Sequence, residues 1–143
     1  MKNGRNFRFL FSFDFEYSKK SSIFLENIEI FSPPYLFKSD GSGALAVRPT
    51  ITATPSAIGY RQSFTITTEN PRNIRQVVLM RPASVTHSVN FEQRRIPLAI
   101  SPSKKTLQVT APADAALVPP GYYMMFIIDD KGVPSVAKMV KLG

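Results

Sequence analysis

Apolar and polar residues alternate with a period of two along four stretches of the chain. Such alternation is typical of a β-strand with one buried face and one solvent-exposed face. The stretches lie at residues 50–54, 63–67, 76–80 and 106–110. No segment from residue 45 onward shows an apolar helical repeat longer than two turns. The pattern therefore predicts a protein built from strands.

Turn-forming residues separate these stretches. The chain contains 12 prolines and 7 glycines, mostly placed between the predicted strands, where these residues favour turns. Clusters of turn residues lie at 54–56, 58–59, 70–71, 101–103, 119–121 and 129–132. About seven short strands at regular spacing predict an all-β fold, an immunoglobulin-like antiparallel sandwich.

Two further stretches near the end of the chain are predicted strands of different kinds. Residues Tyr122 to Ile128 are apolar at every position. A strand with two apolar faces is either central in the sandwich or covered on its outer face by a partner, and we favour the core position. The final stretch, residues 136–142, carries Lys138 and Lys141, which predicts a position near a sheet edge.

Composition excludes several classes of protein. A chain of 143 residues is long enough for one domain, and no apolar run approaches the ~20 residues of a membrane-spanning helix. Zero cysteines exclude disulfides and thiolate ligands. A net charge of +8 is a feature of proteins that bind nucleic acid or another polyanion. Most basic residues are scattered singly and no nucleic-acid-binding motif is present, so the charge predicts solubility instead.

His87 is the one candidate for a reactive group. It is the only histidine of the chain and lies in a polar break, residues 84–98, between two predicted strands. A neutral imidazole is a good metal ligand, but a single one makes an incomplete metal site. The alternative is an ordinary surface histidine that is solvated or hydrogen-bonded.

The residues around His87 resemble a known family. The runs Thr86-His87-Ser88-Val89-Asn90 and Gln93-Arg94-Arg95-Ile96-Pro97-Leu98 are similar to the C-terminal domain of galactose oxidase and glyoxal oxidase, the copper radical oxidases. Upstream, Glu29–Leu36 and Arg48–Ile51 resemble the segment that leaves the family's propeller. Downstream, Pro119–Phe126 and Gly132–Ala137 resemble its last two strands. The resemblance divides the chain into a sandwich domain, residues 28–143, and an extension outside it, residues 1–27.

The resemblance implies a function for this domain. In the family, an immunoglobulin-like C-terminal domain caps a kelch-type β-propeller and donates one histidine to copper, which implies that His87 is that ligand. The propeller supplies two tyrosinates and another histidine, and the enzymes oxidise alcohols or aldehydes with release of hydrogen peroxide. With no second histidine here, we expect no tight copper binding and no catalysis by this chain alone. The family is typically secreted.

The residue types around His87 also predict supporting roles for its neighbours. Thr86, Asn90, Gln93, Arg94 and Arg95 are expected to hold the histidine loop. Asn90 and Gln93 should bond backbone groups of the loop. Adjacent arginines in extended backbone point to opposite faces, so one should pair with Glu92 or another acid and the other should bridge to a partner domain.

Residues 1–27 differ from the rest of the chain. Phenylalanines at every second position from Phe7 to Phe15 imitate a strand, and Arg8, Asp14 and Glu16 interrupt the segment too often for a signal peptide. We interpret residues 1–27 as a replaced or mispredicted start on a truncated reading frame.

Three alternatives stay open at this point. The chain is either the cap of a missing or separately encoded propeller, a carbohydrate-binding or protein-interaction module without metal, or a gene remnant. Fold alone does not decide among them. Sugar-binding sandwiches usually present exposed aromatic platforms, and this chain has no tryptophan. A surface left bare by a lost propeller also predicts self-association or poor solubility.

Overall fold

The computed structural model describes residues 32–143, and regular structure in this part of the chain is almost entirely β-strand. The strands are β1 (Ala57–Ile58), β2 (Ser63–Thr67), β3 (Ile74–Met80), β4 (Val85–Thr86), β5 (Val89–Asn90), β6 (Arg95–Pro102), β7 (Thr106–Thr110), β8 (Gly121–Asp129) and β9 (Lys138–Leu142). Single turns of 3₁₀ helix lie at Pro34–Leu36 and Pro71–Asn73. The extension at residues 1–27 and the boundary at residue 28 lie outside the described residues.

Seven of these strands form one continuous sheet in the order β1-β9-β8-β3-β6-β7-β2. β6 belongs to both halves of this sheet, because residues 95–98 pair with β3 and residues 99–102 pair with β7. Only the short β1 pairs in parallel, with β9. β4 and β5 form a separate two-stranded hairpin.

Side chains from both halves of the sheet fill a single core. Phe64 and Ile66 from β2 pack in the same buried cluster as Leu79 from β3 and Ile127 from β8. Since strands at the two ends of the sheet share this cluster, the sheet folds over on itself as a sandwich. The predicted fold class, an immunoglobulin-like antiparallel β-sandwich of about seven strands, is confirmed.

The period-two pattern located some strands better than others. β2 and β7 coincide with the predicted stretches 63–67 and 106–110, and their apolar residues are buried as expected. β3 begins two residues earlier than predicted. The predicted strand at 50–54 is wrong, because Ala53 makes only an isolated bridge to Thr67 and is itself exposed.

Val78 in β3 departs from the pattern for a reason visible on the sheet surface. The alternation placed Val78 on the solvent face, but only 2% of it is exposed. It lies opposite Pro97 on one side and Phe126 on the other. Arg95 donates a hydrogen bond to the Gln76 side chain, and this bond spans Val78. Neighbouring side chains therefore cover a valine that points away from the core.

β8 is the central apolar strand, lying between β9 and β3. Its residues alternate as a strand in a sandwich requires: Tyr123, Met125 and Ile127 are fully buried, whereas the residues between them are more exposed on the outer face. The predicted central position is confirmed. β9 lies one strand from the edge, with only the two residues of β1 outside it, and begins two residues later than predicted.

Within the described residues, no helix is both long and apolar enough to cross a membrane.

Candidate functional site

The candidate site is the hairpin that carries His87. β4 and β5 pair antiparallel, Val85 with Asn90 and Thr86 with Val89, so that His87 and Ser88 form a two-residue turn. Both turn residues have positive φ, 52° and 63°, which is the pattern of a type I′ turn. This turn matches the twist of the strands, although left-handed backbone costs a residue other than glycine about 1–2 kcal/mol. His87 therefore occupies the tip.

The hairpin continues the pairing of two core strands. Met80 pairs with Arg95 at the end of the β3–β6 ladder, and the Arg81 amide bonds the Arg94 carbonyl beyond it at 3.2 Å. The hairpin is thus the extended connection between two adjacent strands of the sandwich. Because the hairpin continues β3 and β6, these two core strands position His87.

The imidazole of His87 is exposed and has one described partner. Its Nδ1 lies 2.9 Å from Oγ1 of Thr86. No described residue hydrogen-bonds Nε2. When Nδ1 carries the proton, the Thr86 oxygen accepts it and Nε2 has a free lone pair, which is the arrangement of a metal ligand.

Asn90 and Gln93 hold the base of the hairpin. Oδ1 of Asn90 accepts hydrogen bonds from the backbone amides of Ser84 at 3.2 Å and Glu92 at 2.9 Å. The Gln93 side chain donates to the Asn90 carbonyl at 3.0 Å. The structure thus brings both predicted supporting residues to backbone groups of this loop.

Arg94 and Arg95 point to different surroundings. Arg94 lies 3.9 Å from a carboxylate oxygen of Glu92 and donates to the Leu117 carbonyl at 3.3 Å. Arg95 lies on the outer face of the sheet, where it bonds Gln76. Only Arg94 therefore contacts the hairpin base, and Arg95 is not brought near His87 by any described contact.

Arg81 is the main anchor of the hairpin, and the sequence analysis missed it. Its guanidinium donates to the carbonyls of Pro119 and Pro120 at 3.3 and 3.1 Å, contacts the Tyr123 hydroxyl at 3.2 Å and pairs with Glu92 at 3.4 Å. The bond with Tyr123 raises the pKa of Arg81 above its ordinary value. No sequence signal relates residue 81 to residues 119–123, because about 40 positions separate them.

Gly121 makes room for this anchor. Its φ of +136° is unfavourable for other residues, and a Cβ there would lie 3.3 Å from two nitrogens of Arg81. The glycine of the Pro-Pro-Gly turn thus lets the backbone run beneath the guanidinium. A second turn, at Asp129–Gly132, uses its first carboxylate to accept backbone amides of Lys131 and Val133, as expected for a hairpin loop.

Exposed apolar side chains surround the tip. Val85 is 67% exposed and Val89 47%, and the register places them on opposite faces of the hairpin. Phe91 and Leu117 beside the base are also exposed. An isolated two-stranded hairpin is only marginally stable in water. Exposed valines on both of its faces would be buried if a partner surrounded it.

The described residues do not complete a metal site. None of them forms a cluster of three or more histidine, cysteine, aspartate or glutamate side chains that could hold an ion. Whatever His87 binds, this part of the chain supplies a single imidazole.

Comparison with known proteins gives a consistent result. A family model described as "Galactose oxidase-like, Early set domain" matches residues 48–142. The chain is 37% identical to a galactose oxidase of Gibberella zeae and 38% identical to the aldehyde oxidase GLOX1 of Arabidopsis thaliana, with 80% of the chain covered in each comparison. It is also similar to a fungal alcohol oxidase solved in complex with copper, at 38% identity and a TM-score of 0.71 over 78% of the chain.

The matches cover only a small part of these proteins. The chain spans 16% of the length of the galactose oxidase, 20% of the aldehyde oxidase and 23% of the solved alcohol oxidase.

Proposed function

This chain belongs to the family of galactose oxidase-like early set domains, and from that membership we propose that it caps a kelch-type propeller and donates His87 to a copper ion. The observation that carries the proposal is the placement of His87 at the tip of an exposed hairpin, with Nδ1 held by Thr86 and Nε2 directed to no described residue.

The surface of the hairpin supports insertion into a partner. Val85 and Val89 are exposed on opposite faces, so a partner that surrounds the hairpin would bury apolar surface on both sides. A flat docking surface would bury only one face. The resemblance of the sequence to the family's C-terminal domain supports the propeller as this surrounding partner.

A single imidazole fits copper as one ligand among several. Imidazole nitrogen is a common copper ligand, and the remaining ligands would come from the propeller. Bound copper would supply the redox centre for oxidation of an alcohol or aldehyde. This chain contributes the donor nitrogen and its orientation, through Thr86 at the tip and through Asn90 and Arg81 at the base. We expect no peroxide release from copper-loaded chain alone.

The direct test is a chimera. Residues 48–142 replace the corresponding domain of the Gibberella zeae galactose oxidase, and copper content and peroxide release on galactose are measured. We expect a chimera that retains copper, and we expect His87→Ala to weaken copper binding more than about 100-fold, since even residues that only orient a ligand cost 10–100-fold.

Ser88→Ala is the matched control, because Ser88 shares the turn but provides no imidazole. It should leave copper content unchanged. The proposal is wrong if a folded chimera, checked by circular dichroism, retains its copper and its activity after His87→Ala.

We expect Thr86 to raise the share of the neutral His87 form that carries its proton on Nδ1, with the Thr86 oxygen accepting from Nδ1. A hydrogen bond worth about 1 kcal/mol corresponds to a change of about fivefold in the ratio of the two neutral forms. Thr86→Val should shift the ratio toward Nε2–H by that factor.

Nitrogen-15 NMR measures this ratio without assignment work, because His87 is the only histidine of the chain. The spectrum is recorded in alkaline buffer, where an ordinary imidazole is neutral. Thr86→Ser keeps the hydroxyl and should behave as the unchanged chain. An unchanged ratio in Thr86→Val would contradict the proposed role of Thr86.

A further inference from the structure

Three methionines share the outer face of the sheet. Met80 of β3 is directly opposite Met124 of β8, and Met124 is directly opposite Met139 of β9. Opposite residues of antiparallel strands project to the same side of the sheet. These three residues, the methionine row, therefore lie in line across three adjacent strands. Met125 follows Met124 in β8 and points to the core instead.

Exposure separates the methionine row from Met125. Met139 is 52% exposed and Met80 is 38% exposed, and Met124 between them is partly exposed, whereas Met125 has no exposed surface. A small solute therefore meets the side chains of the row directly from solvent. Because the core is closely packed, the same solute reaches Met125 only when the sandwich opens. The fold thus holds chemically identical thioethers in two opposite environments.

One reaction distinguishes a thioether from the other side chains of this face. Peroxides oxidise methionine to methionine sulfoxide, which is polar where methionine is apolar. The sulfur gives an electron pair to one oxygen of hydrogen peroxide, the O–O bond breaks, an S–O bond forms, and the other oxygen leaves as water with both hydrogens. We propose that the methionine row is an oxidation site, at which hydrogen peroxide converts the exposed methionines to sulfoxides and leaves Met125 intact.

Oxidation at this site changes the character of the outer face. Tyr122 and Phe126 lie on the same face of β8, on either side of Met124, so the unmodified surface is largely apolar. Each sulfoxide oxygen accepts hydrogen bonds from water and interrupts that apolar surface. Met125 belongs to the buried core cluster, and no member of the row does. The face therefore becomes polar while the packing of the core is preserved.

The oxidation site is independent of the proposed cap function. The row lies on β3, β8 and β9, whereas His87 belongs to the hairpin of β4 and β5. The reaction consumes added hydrogen peroxide and needs no copper. Failure of His87 to bind copper would therefore leave the oxidation site standing, and failure of the oxidation site would leave the copper ligand standing.

Peptide mapping by mass spectrometry, after timed exposure of the full chain to hydrogen peroxide, tests the site directly. Met124 and Met125 are a matched pair, because they are adjacent in sequence and face opposite sides of the sheet. Met139 and Met80 should react fastest, Met124 next, and Met125 at least about tenfold more slowly than Met139. In concentrated urea the four rates should become similar. Oxidation of Met125 as fast as Met139 in the folded chain would overturn the proposal, as would the same order of rates in urea.

Hydrophobic-interaction chromatography then tests whether the reacting sulfurs are those of the outer face. The oxidised chain should elute earlier than the untreated chain, with an unchanged circular dichroism spectrum. Replacing the whole row by leucine should remove most of this shift, because leucine keeps a similar volume and has no sulfur to oxidise. Met125→Leu should leave the shift in place. A full shift without the row, or a loss of the folded spectrum on oxidation, means that the row is not the site.

Discussion

Ile127→Ala is expected to lower the free energy of unfolding by about 4 kcal/mol, because truncation of a fully buried isoleucine leaves a cavity in the core. Ile127 has no exposed surface and pairs with Val77 in the middle of the sheet. For a domain of this size, such a loss is a large part of the whole stability.

Ile128→Ala is the matched control, since it makes the same chemical change one residue along β8. Ile128 is half-exposed on the outer face, and its truncation should cost about 1 kcal/mol or less. Urea denaturation followed by circular dichroism measures both variants. Similar losses in the two variants would contradict the separation of core face and outer face in β8.

Arg81→Met should cost about 3 kcal/mol, because three hydrogen bonds and an ion pair depend on one guanidinium. The change leaves the Pro119 and Pro120 carbonyls without this donor and Glu92 without its closer partner. Charge-assisted hydrogen bonds contribute about 1.5–3 kcal/mol each in favourable cases, and the partial exposure of Arg81 reduces the sum. Urea denaturation gives the loss.

Arg94→Met provides the comparison for Arg81. Arg94 contacts the same Glu92 at 3.9 Å and makes a single carbonyl bond from a more exposed position, so its loss should be below about 1 kcal/mol. Hydrogen exchange adds a local readout, because Arg81→Met should also speed exchange of the Glu92 amide at the hairpin base. An Arg94→Met variant that loses as much stability as Arg81→Met would contradict the anchoring role.

Local pattern predicted much of the sandwich. The bounds of β2 and β7 could be predicted to the residue. Each strand has one solvent-exposed face and one buried face, so polar and apolar residues alternate along its whole length. The stretch at 50–54 has the same alternation, but prolines at 49 and 55 flank it, and proline lacks the amide that a ladder needs. The alternation of side chains along a segment does not show whether its backbone can pair with a neighbouring strand.

The site could be predicted only where its residues are close in sequence. His87, Thr86, Asn90 and Gln93 belong to one loop, in which Thr86 contacts His87 at the tip and Gln93 bonds Asn90 at the base. Arg81 meets Tyr123 and the Pro119 carbonyl across 38 or more positions, so only the fold creates the contact.

The shared ladder of β3 and β6 also has a consequence for protein engineering. The hairpin extends two strands that already pair. Its length can therefore change without a change in the packing of the sandwich core. Each added residue on both strands would lengthen the arm by about 3.4 Å, and additions in steps of two would preserve which face each side chain occupies. Under the proposed cap function, one sandwich could fit propellers of different thickness by changing only the number of residue pairs between Arg81 and His87.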